Sequence, residues 1–360
     1  MKNIVEATRD FESWLGKHTP LIRDQLAMKH KLMAKDPMRF LRGTFYRWSQ
    51  LWPEICSELA KAPTVLCVGD LHIASFGTWR DAYGRLVWGV DDFDEAYPLP
   101  YTNDLVRLGA SAALDASENR LGVGVRRICD VILDGYRARL KNGARPFVLE
   151  DQHRWLHRIA LQHLDVPVDF WRKLDELPRT RRAIPRNAKR ALLECFPEPR
   201  LRYNVARRIA GIGSLGHPRY VAIARWCGGR IAMEAKKAAP SACAWTHASH
   251  SPQIHYQSIL DRAVRAPDPF VRLHGDWLVR RLAPDSSPID IETMKGQRSQ
   301  DRLLHAMAQE AANIHAGTRG AARRILDDLD RRAANWLRSG VKDMAKAITK
   351  DWKEWKKSRE

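Results

Sequence analysis

The sequence contains no apolar run near the roughly 18 residues that a membrane-spanning helix needs. Its first residues, MKNIVEATRDFESW, mix charged and apolar side chains and lack a secretory apolar core. Six cysteines lie scattered at Cys56, Cys67, Cys129, Cys195, Cys227 and Cys243. None has CxxC spacing, so the pattern indicates neither a zinc site nor a disulfide framework. The expected setting is a reducing cytoplasm, with no membrane partner. Wholesale disorder is also disfavoured, because 44% of the residues are hydrophobic.

What is abundant is positive charge. Over 360 residues the chain carries 61 Lys and Arg against 42 Asp and Glu, a net of +19. Such an excess favours anionic partners: nucleotides, phosphorylated substrates, nucleic acid or acidic membrane surfaces. Arginines such as Arg179, Arg181, Arg182, Arg186 and Arg190 spread along helical stretches, without a basic arm.

The acids gather in one stretch, from Val65 to Leu108. An apolar run, Val65 to Val68, ends at Gly69-Asp70, and His72 and Ser75 follow in a loop. A second apolar run, Leu86 to Val90, ends at Asp91, Asp92, Phe93, Asp94 and Glu95. Asp81 to Gly84 reads as the turn of a hairpin-like unit joining the two runs. Two strands that deliver acids to one end suit a general base and a metal. Four acids in five residues repel one another unless a cation or arginines offset them. Next, Pro98 and Pro100 hold the chain extended, and Asn103-Asp104 is expected to cap a helix starting at Leu105.

A glycine loop, GIGSLG from Gly211 to Gly216, lies far downstream. Gly216 is followed by His217-Pro218 and a strand-like run, not by a helix. That context suits a loop whose backbone N–H groups cover phosphates between two strands. Gly211, Gly213 and Gly216 would allow the backbone to approach a nucleotide closely. An ordinary glycine hairpin is the plain alternative. Lys236, on the strand after the hairpin, is placed to reach phosphates as a point charge. No glutamate occurs between Lys237 and Pro267, so Asp261 or Glu310 is the expected partner of Lys236.

The rest reads as helix at both ends around a β-rich middle. Residues 1–64 and 120–195 read as mostly helical. Phe196 to Arg200 marks a boundary, because two prolines discourage helix and sheet alike. Short strands are expected at 203–210, 220–226, 231–236, 270–273 and 277–282, and helix from 298 to 358. The last helix, with Trp352 and Trp355, reads as a solvated face. The expected units are 1–200, a β-rich nucleotide-binding lobe at 201–284, and 285–360 returning to complete the helical lobe.

These segments resemble the bacterial family called domain of unknown function 2252. The resemblance is carried by FLRGTFYRW, VGDLHxxxFGTWRD, VWGVDDFDEA, DLVRLGAS, GIGSLGHPR, EAKK and VRRLAPDS. The first block also resembles the aminoglycoside-phosphotransferase branch of kinase-like proteins. It implies an α+β, two-lobed protein-kinase-like fold in circularly permuted order, since the catalytic-loop motif precedes the glycine loop. By that resemblance Asp70 is the catalytic aspartate, with His72 beside it. Asp92 is the metal-binding aspartate and Asp104 a later structural one. Ser75 stands where the family's loop asparagine helps bind Mg²⁺, and Asp91 and Asp94 flank the metal position. Gly211, Gly213, Ser214, Gly216 and Lys236 hold the nucleotide. The implied cofactors are ATP and Mg²⁺, and the implied reaction is phosphoryl transfer to a hydroxyl of a small molecule or protein. Transfer of AMP, as in kinase-like proteins resembling selenoprotein O, is a close variant. The other readings are a nucleotide-binding module without catalysis, favoured by Ser75, and a basic nucleic-acid binder.

Overall fold

The computed structural model describes residues 2–118, 121–180, 184–198, 200–294 and 296–359. Arg181, Arg182 and Pro199, part of the charge and boundary readings above, lie outside them. The class is α+β, with helices at both ends and small antiparallel sheets between. Among the described residues no helix is long and apolar enough to cross a membrane.

Four helices, Ile4–Leu15, Arg23–Met33, Pro37–Gly43 and Phe45–Ile55, open the chain. The third starts cleanly because the Asp36 carboxylate accepts from the Arg39 backbone N–H and Pro37 takes a position whose N–H would be orphaned anyway. The two ends of the chain share one core. Arg47 is buried against Asp351 at 2.6 Å, and Trp355, fully buried, donates to the His30 carbonyl at 3.2 Å. The last helix, Trp336–Lys357, is therefore amphipathic and packed, not simply solvated.

At the centre lies the helix Tyr101–Ser117, buried around almost its whole circumference. It packs against Val125–Lys141 and Trp336–Lys357, and Val125–Lys141 packs in turn on Gln297–Ala316. The last contact is close enough to require glycine: a Cβ on Gly135 would lie 2.4 Å from the His305 carbonyl oxygen.

The strands are β1 (Thr64–Cys67), β2 (Phe76–Arg80), β3 (Leu86–Val90), β4 (Tyr97–Pro100), β5 (Phe147–Val148), β6 (Tyr203–Arg207), β7 (Arg219–Trp226), β8 (Gly229–Lys237), β9 (Arg272–His274) and β10 (Trp277–Leu282). The expected hairpin is corrected here. β1 does not pair with β3; it forms a two-stranded ribbon with β4, where Pro98 and Pro100 are tolerated because they need no second neighbour. The Asp81–Gly84 turn joins β3 to β2, a run whose glycine hides it in the sequence. Gly77 is there because a Cβ would lie 2.8 Å from the Asp91 carboxylate. The helix after β4 starts at Tyr101, so Asn103 and Asp104 lie inside it and are free for other work.

The strands β6 to β10 form one antiparallel sheet in the order β6-β7-β8-β10-β9. The glycine loop connects β6 to β7, and β8 carries Lys236. One face of the sheet packs on the helix Arg186–Glu194 through Ala188, Leu192, Ala222 and Val279. Phe170 and Leu174, from the helix Pro167–Asp175, pack with Val221, Ala232 and Leu282.

Candidate active site

The loop after β1 is shaped by a buried polar cluster. Gly69 takes φ +79°, and a Cβ there would lie 2.2 Å from the Glu95 carbonyl, so only glycine allows the turn. The Asp104 carboxylate accepts from the Val68 N–H at 2.8 Å and the Gly69 N–H at 3.0 Å. It also accepts from Asn103 Nδ2 at 3.2 Å and meets His315 Nε2 at 3.1 Å, and His315 Nδ1 meets the Tyr136 hydroxyl at 2.7 Å. Among the described residues, Cys67, Asp104 and His315 are the one group of three His, Cys or acid side chains whose ligand atoms all lie within 4.8 Å of one another. Their hydrogen bonds make the cluster a brace for the loop that ends at Asp70.

Asp70 is held on one side. Its Oδ1 accepts from Arg107 Nε at 2.8 Å and from Nη2 of the same guanidinium. Arg107 is fully buried between the rings of Phe45 and Trp48, 4.9 and 4.8 Å from their centroids. Burial raises the Asp70 carboxyl above the ordinary aspartate value, although Arg107 opposes the shift. The second oxygen, Oδ2, faces the glycine loop, 3.9 Å from where a Cβ on Gly213 would lie.

His72 and Ser75 are bound to each other. Ser75 Oγ accepts from the His72 backbone N–H at 3.0 Å, lies 3.0 Å from His72 Nδ1, and lies 3.3 Å from the Asp70 carbonyl. Burial keeps the His72 ring neutral by holding its pKa well below the usual value. Both side chains therefore serve the loop's own conformation.

The four acids after β3 differ sharply. Asp92, with half its side chain exposed to the cleft, lies 3.4 Å from Lys236 Nζ; Asp94 lies 2.6 Å from the same atom. Burial works against ionisation of Asp92, but Lys236 and Arg280 outweigh it and hold the carboxyl below its ordinary value. Burial and the Asp92 charge raise Asp94. Its Oδ1 is buried with no hydrogen-bond partner. Burial pushes Asp91 up to about 6, with Asp92 adding to the shift. Burial pushes Glu95 up to about 8, while its Oε2 accepts from the Ala242 N–H at 2.7 Å.

The partner expected for Lys236 is corrected. Asp261 sits on the exposed side of the helix Tyr256–Arg262 and accepts from Gln257 Nε2. Glu310 is buried elsewhere, against Asn313 and Gly89. The acids that meet Lys236 come instead from the other half of the chain.

The glycine loop is fastened to the N-terminal helices. Lys29 Nζ donates to the Gly213 carbonyl at 2.9 Å, and the Ile22 N–H donates to the Gly216 carbonyl at 2.8 Å. Gly211, Gly213 and Ser214 line the cleft; Gly216 does not. It packs on Leu26 at φ +102°, and its N–H donates to Gln25 Oε1 at 3.3 Å. Ser214 Oγ accepts from Arg219 at 2.8 Å.

Arg219 also belongs to a group that the sequence reading missed. Glu234 on β8 is fully buried and bonded by Arg208 at 2.6 Å, Arg219 at 2.9 Å and Arg280 at 2.9 Å. Burial opposes its charge, but the three guanidiniums hold its pKa well below the ordinary value. The available signal was its place two residues before Lys236, which puts both on one face of a strand.

The cleft between these parts has a volume of about 270 Å³ and adjoins a second, of about 200 Å³, through Asp91, Arg208 and Arg280. Asp70, His72, Ser75, Asp91, Asp92, Asp94 and residues 211–214 of the glycine loop all line the first. Arg42 lines it too, with its Nε buried and without a hydrogen-bond partner.

The family model for domain of unknown function 2252, described as "Uncharacterized protein conserved in bacteria", matches residues 21–191 and 177–358. No curated protein and no solved structure matches the chain.

Proposed function

The chain belongs to the bacterial family called domain of unknown function 2252, and from that premise and the cleft we propose that it is an ATP- and Mg²⁺-dependent phosphotransferase acting on a hydroxyl group. The observation that carries the proposal is the contact of Lys236 with Asp92 and Asp94. It joins a glycine-loop strand to an acid run 142 residues away. It sets a lysine able to bind phosphate as a point charge beside carboxylates of the kind that bind Mg²⁺.

The residues fit the proposed groups. Mg²⁺ takes oxygen ligands, usually one or two carboxylates with water and phosphate oxygens. Asp94 Oδ1 is buried and unpartnered, and Asp92 opens to the cleft. Asp92 and Asp94 would hold the ion, and Asp91, which lines the same cleft, would add negative charge near it. The ion would supply neutralisation of phosphate charge. Lys236 and the backbone of Gly211 to Ser214 would hold the phosphates. Asp70, fixed through Oδ1 by Arg107, would use Oδ2 to orient the acceptor hydroxyl and take its proton.

A second reading, nucleotide binding without turnover, is favoured by one feature. The glycine loop is tied down beside Asp70, and the cleft is slightly smaller than the roughly 300 Å³ at which ligand pockets begin. Transfer of AMP remains the nearest catalytic variant.

Calorimetric titration with ATP, with and without Mg²⁺, tests the site in wild type, Lys236→Ala and Asp92→Ala. The expected result is Mg²⁺-dependent binding weakened at least tenfold by each substitution. Wild-type protein that binds no ATP with any divalent metal would refute the proposal. Binding without turnover on any hydroxyl acceptor would select the second reading.

A further inference from the structure

More than half of the chain's net positive charge comes from one stretch. From Asp169 to Lys237, 69 residues carry 17 Lys and Arg against six Asp and Glu, an excess of 11 out of the total of 19. A groove of about 720 Å³ gathers part of it: Arg179, Arg200, Arg202, Arg225 and Arg230 all line it. Its one acid is Asp175, which is spent on Arg230. Among the described residues, none of Arg179, Arg200, Arg202 and Arg225 forms a salt bridge, and all four are exposed.

The backbone makes this arrangement costly to keep. Arg225 on β7 stands directly opposite Arg230 on β8 in the strand register. Like charges placed opposite one another across two strands repel. Arg202, the residue before β6, lines the same groove. Arg179 is fixed beside β6 because the backbone of residues 178–180 covers that edge. The Thr180 N–H donates to the Val205 carbonyl at 3.1 Å, and the Arg207 N–H to the Pro178 carbonyl at 2.9 Å. The arginines are thus set around one groove by sheet register and backbone hydrogen bonds.

The lining between them is not charged. Leu177, Leu201, Tyr203, Asn204 and Ile223 present apolar, aromatic and amide surface. Guanidinium forks match phosphate oxygens, and a partly apolar, aromatic lining suits unstacked bases. A single phosphorylated side chain would use one or two of these arginines; a phosphodiester chain uses a series of them. We propose that this groove, at the end of the sheet away from the nucleotide cleft, binds single-stranded nucleic acid. The phosphates lie on Arg179, Arg200, Arg202 and Arg225, and the bases lie on the lining around Tyr203.

The test is fluorescence anisotropy with a labelled single strand of about 20 nucleotides, a length that exceeds common groove site sizes. The full chain is compared with the double variant Arg202→Gln/Arg225→Gln. A control, Lys353→Gln/Lys357→Gln, removes the same charge from exposed positions on the last helix. The expected result is at least a tenfold loss in the groove variant and less than a twofold change in the control. The slope of log affinity against log salt should shrink by ~1.4 in the groove variant, for two lost phosphate contacts. Equal losses in both variants would reduce the effect to net charge and overturn the proposal. So would tighter binding of a duplex, of inorganic polyphosphate or of poly-glutamate than of the single strand. Thermal melting separates unfolding from lost binding, because removing the repulsion should leave Tm unchanged or higher. Arg202→Lys/Arg225→Lys, which keeps the charge, should restore most of the affinity; no recovery in that folded variant would also overturn the proposal.

Discussion

The strands β6, β7 and β8 end in two opposite electrostatic solutions. Toward the cleft, Arg208 and Arg219 converge with Arg280 of β10 on Glu234, a carboxylate with no exposure to solvent. At the far end, Arg225 faces Arg230, and Asp175 neutralises only the latter. The difference follows from water. A buried ion must be compensated by protein groups, because removing one partner leaves an uncompensated charge at a cost of several kcal/mol. An exposed arginine is solvated and screened, so the fold tolerates it without a partner. The cleft end is therefore locked by its own charges, whereas the outer end keeps its charges available.

The largest expected effect comes from breaking the locked end. Glu234→Gln leaves three guanidiniums around a neutral amide and should cost about 3–5 kcal/mol. Denaturant unfolding measures it; a loss under 1 kcal/mol would mean that the cluster is hydrated and the contrast between the two ends is false. The sign with pH follows from the depressed pKa of Glu234. Its contribution is present above the unfolded glutamate value and is lost as pH falls through the folded one.

Glu95 should show the opposite sign. Burial raises its pKa to about 8, so its contribution is full below the ordinary glutamate value and declines as pH rises through about 8. Melting from pH 5 to 9 should therefore show a fall in Tm for wild type. Glu95→Gln, which keeps an acceptor for the Ala242 N–H, should flatten that fall. A parallel decline in both proteins would show that Glu95 is ionised throughout. Arginines do not titrate in this range, so the outer groove adds nothing to the pH profile.

The smallest effect belongs to the outer end. Arg225→Gln removes a like-charge pair across two strands and should stabilise the fold by ~0.2–1 kcal/mol at low salt, less at high salt. Destabilisation by more than 1 kcal/mol would show that Arg225 has a structural partner in solution.

The helical ends, the β-rich middle and the boundaries of β10 were legible because their signals are local: apolar periodicity, turn residues and proline breaks. Strand pairing was less so. Nothing in Val65 to Val68 says that its neighbour is Tyr97–Pro100 and not Leu86–Val90, since a strand's partner is set by what packs over it. Asp70, Asp92 and Lys236 were legible as chemical types in strand and loop contexts. Arg107 was not, because a buried arginine inside an apolar helix looks like any other charge until Phe45 and Trp48 are seen around it. Glu234 was missed for a similar reason: its three arginines come from β7, β10 and the residue just after β6.

By itself, then, the sequence determined the α+β class, the positive charge, the acid run and the glycine loop, because each is written in neighbouring residues. Tertiary structure alone decided that Lys236 reaches Asp92 and Asp94 and not Asp261. It also decided that Asp104 braces the backbone before Asp70, and that one sheet carries a neutralised end and a cationic end. Those outcomes depend on contacts between residues tens to hundreds of positions apart, and only the closing of the chain around a shared core brings such groups within hydrogen-bond range.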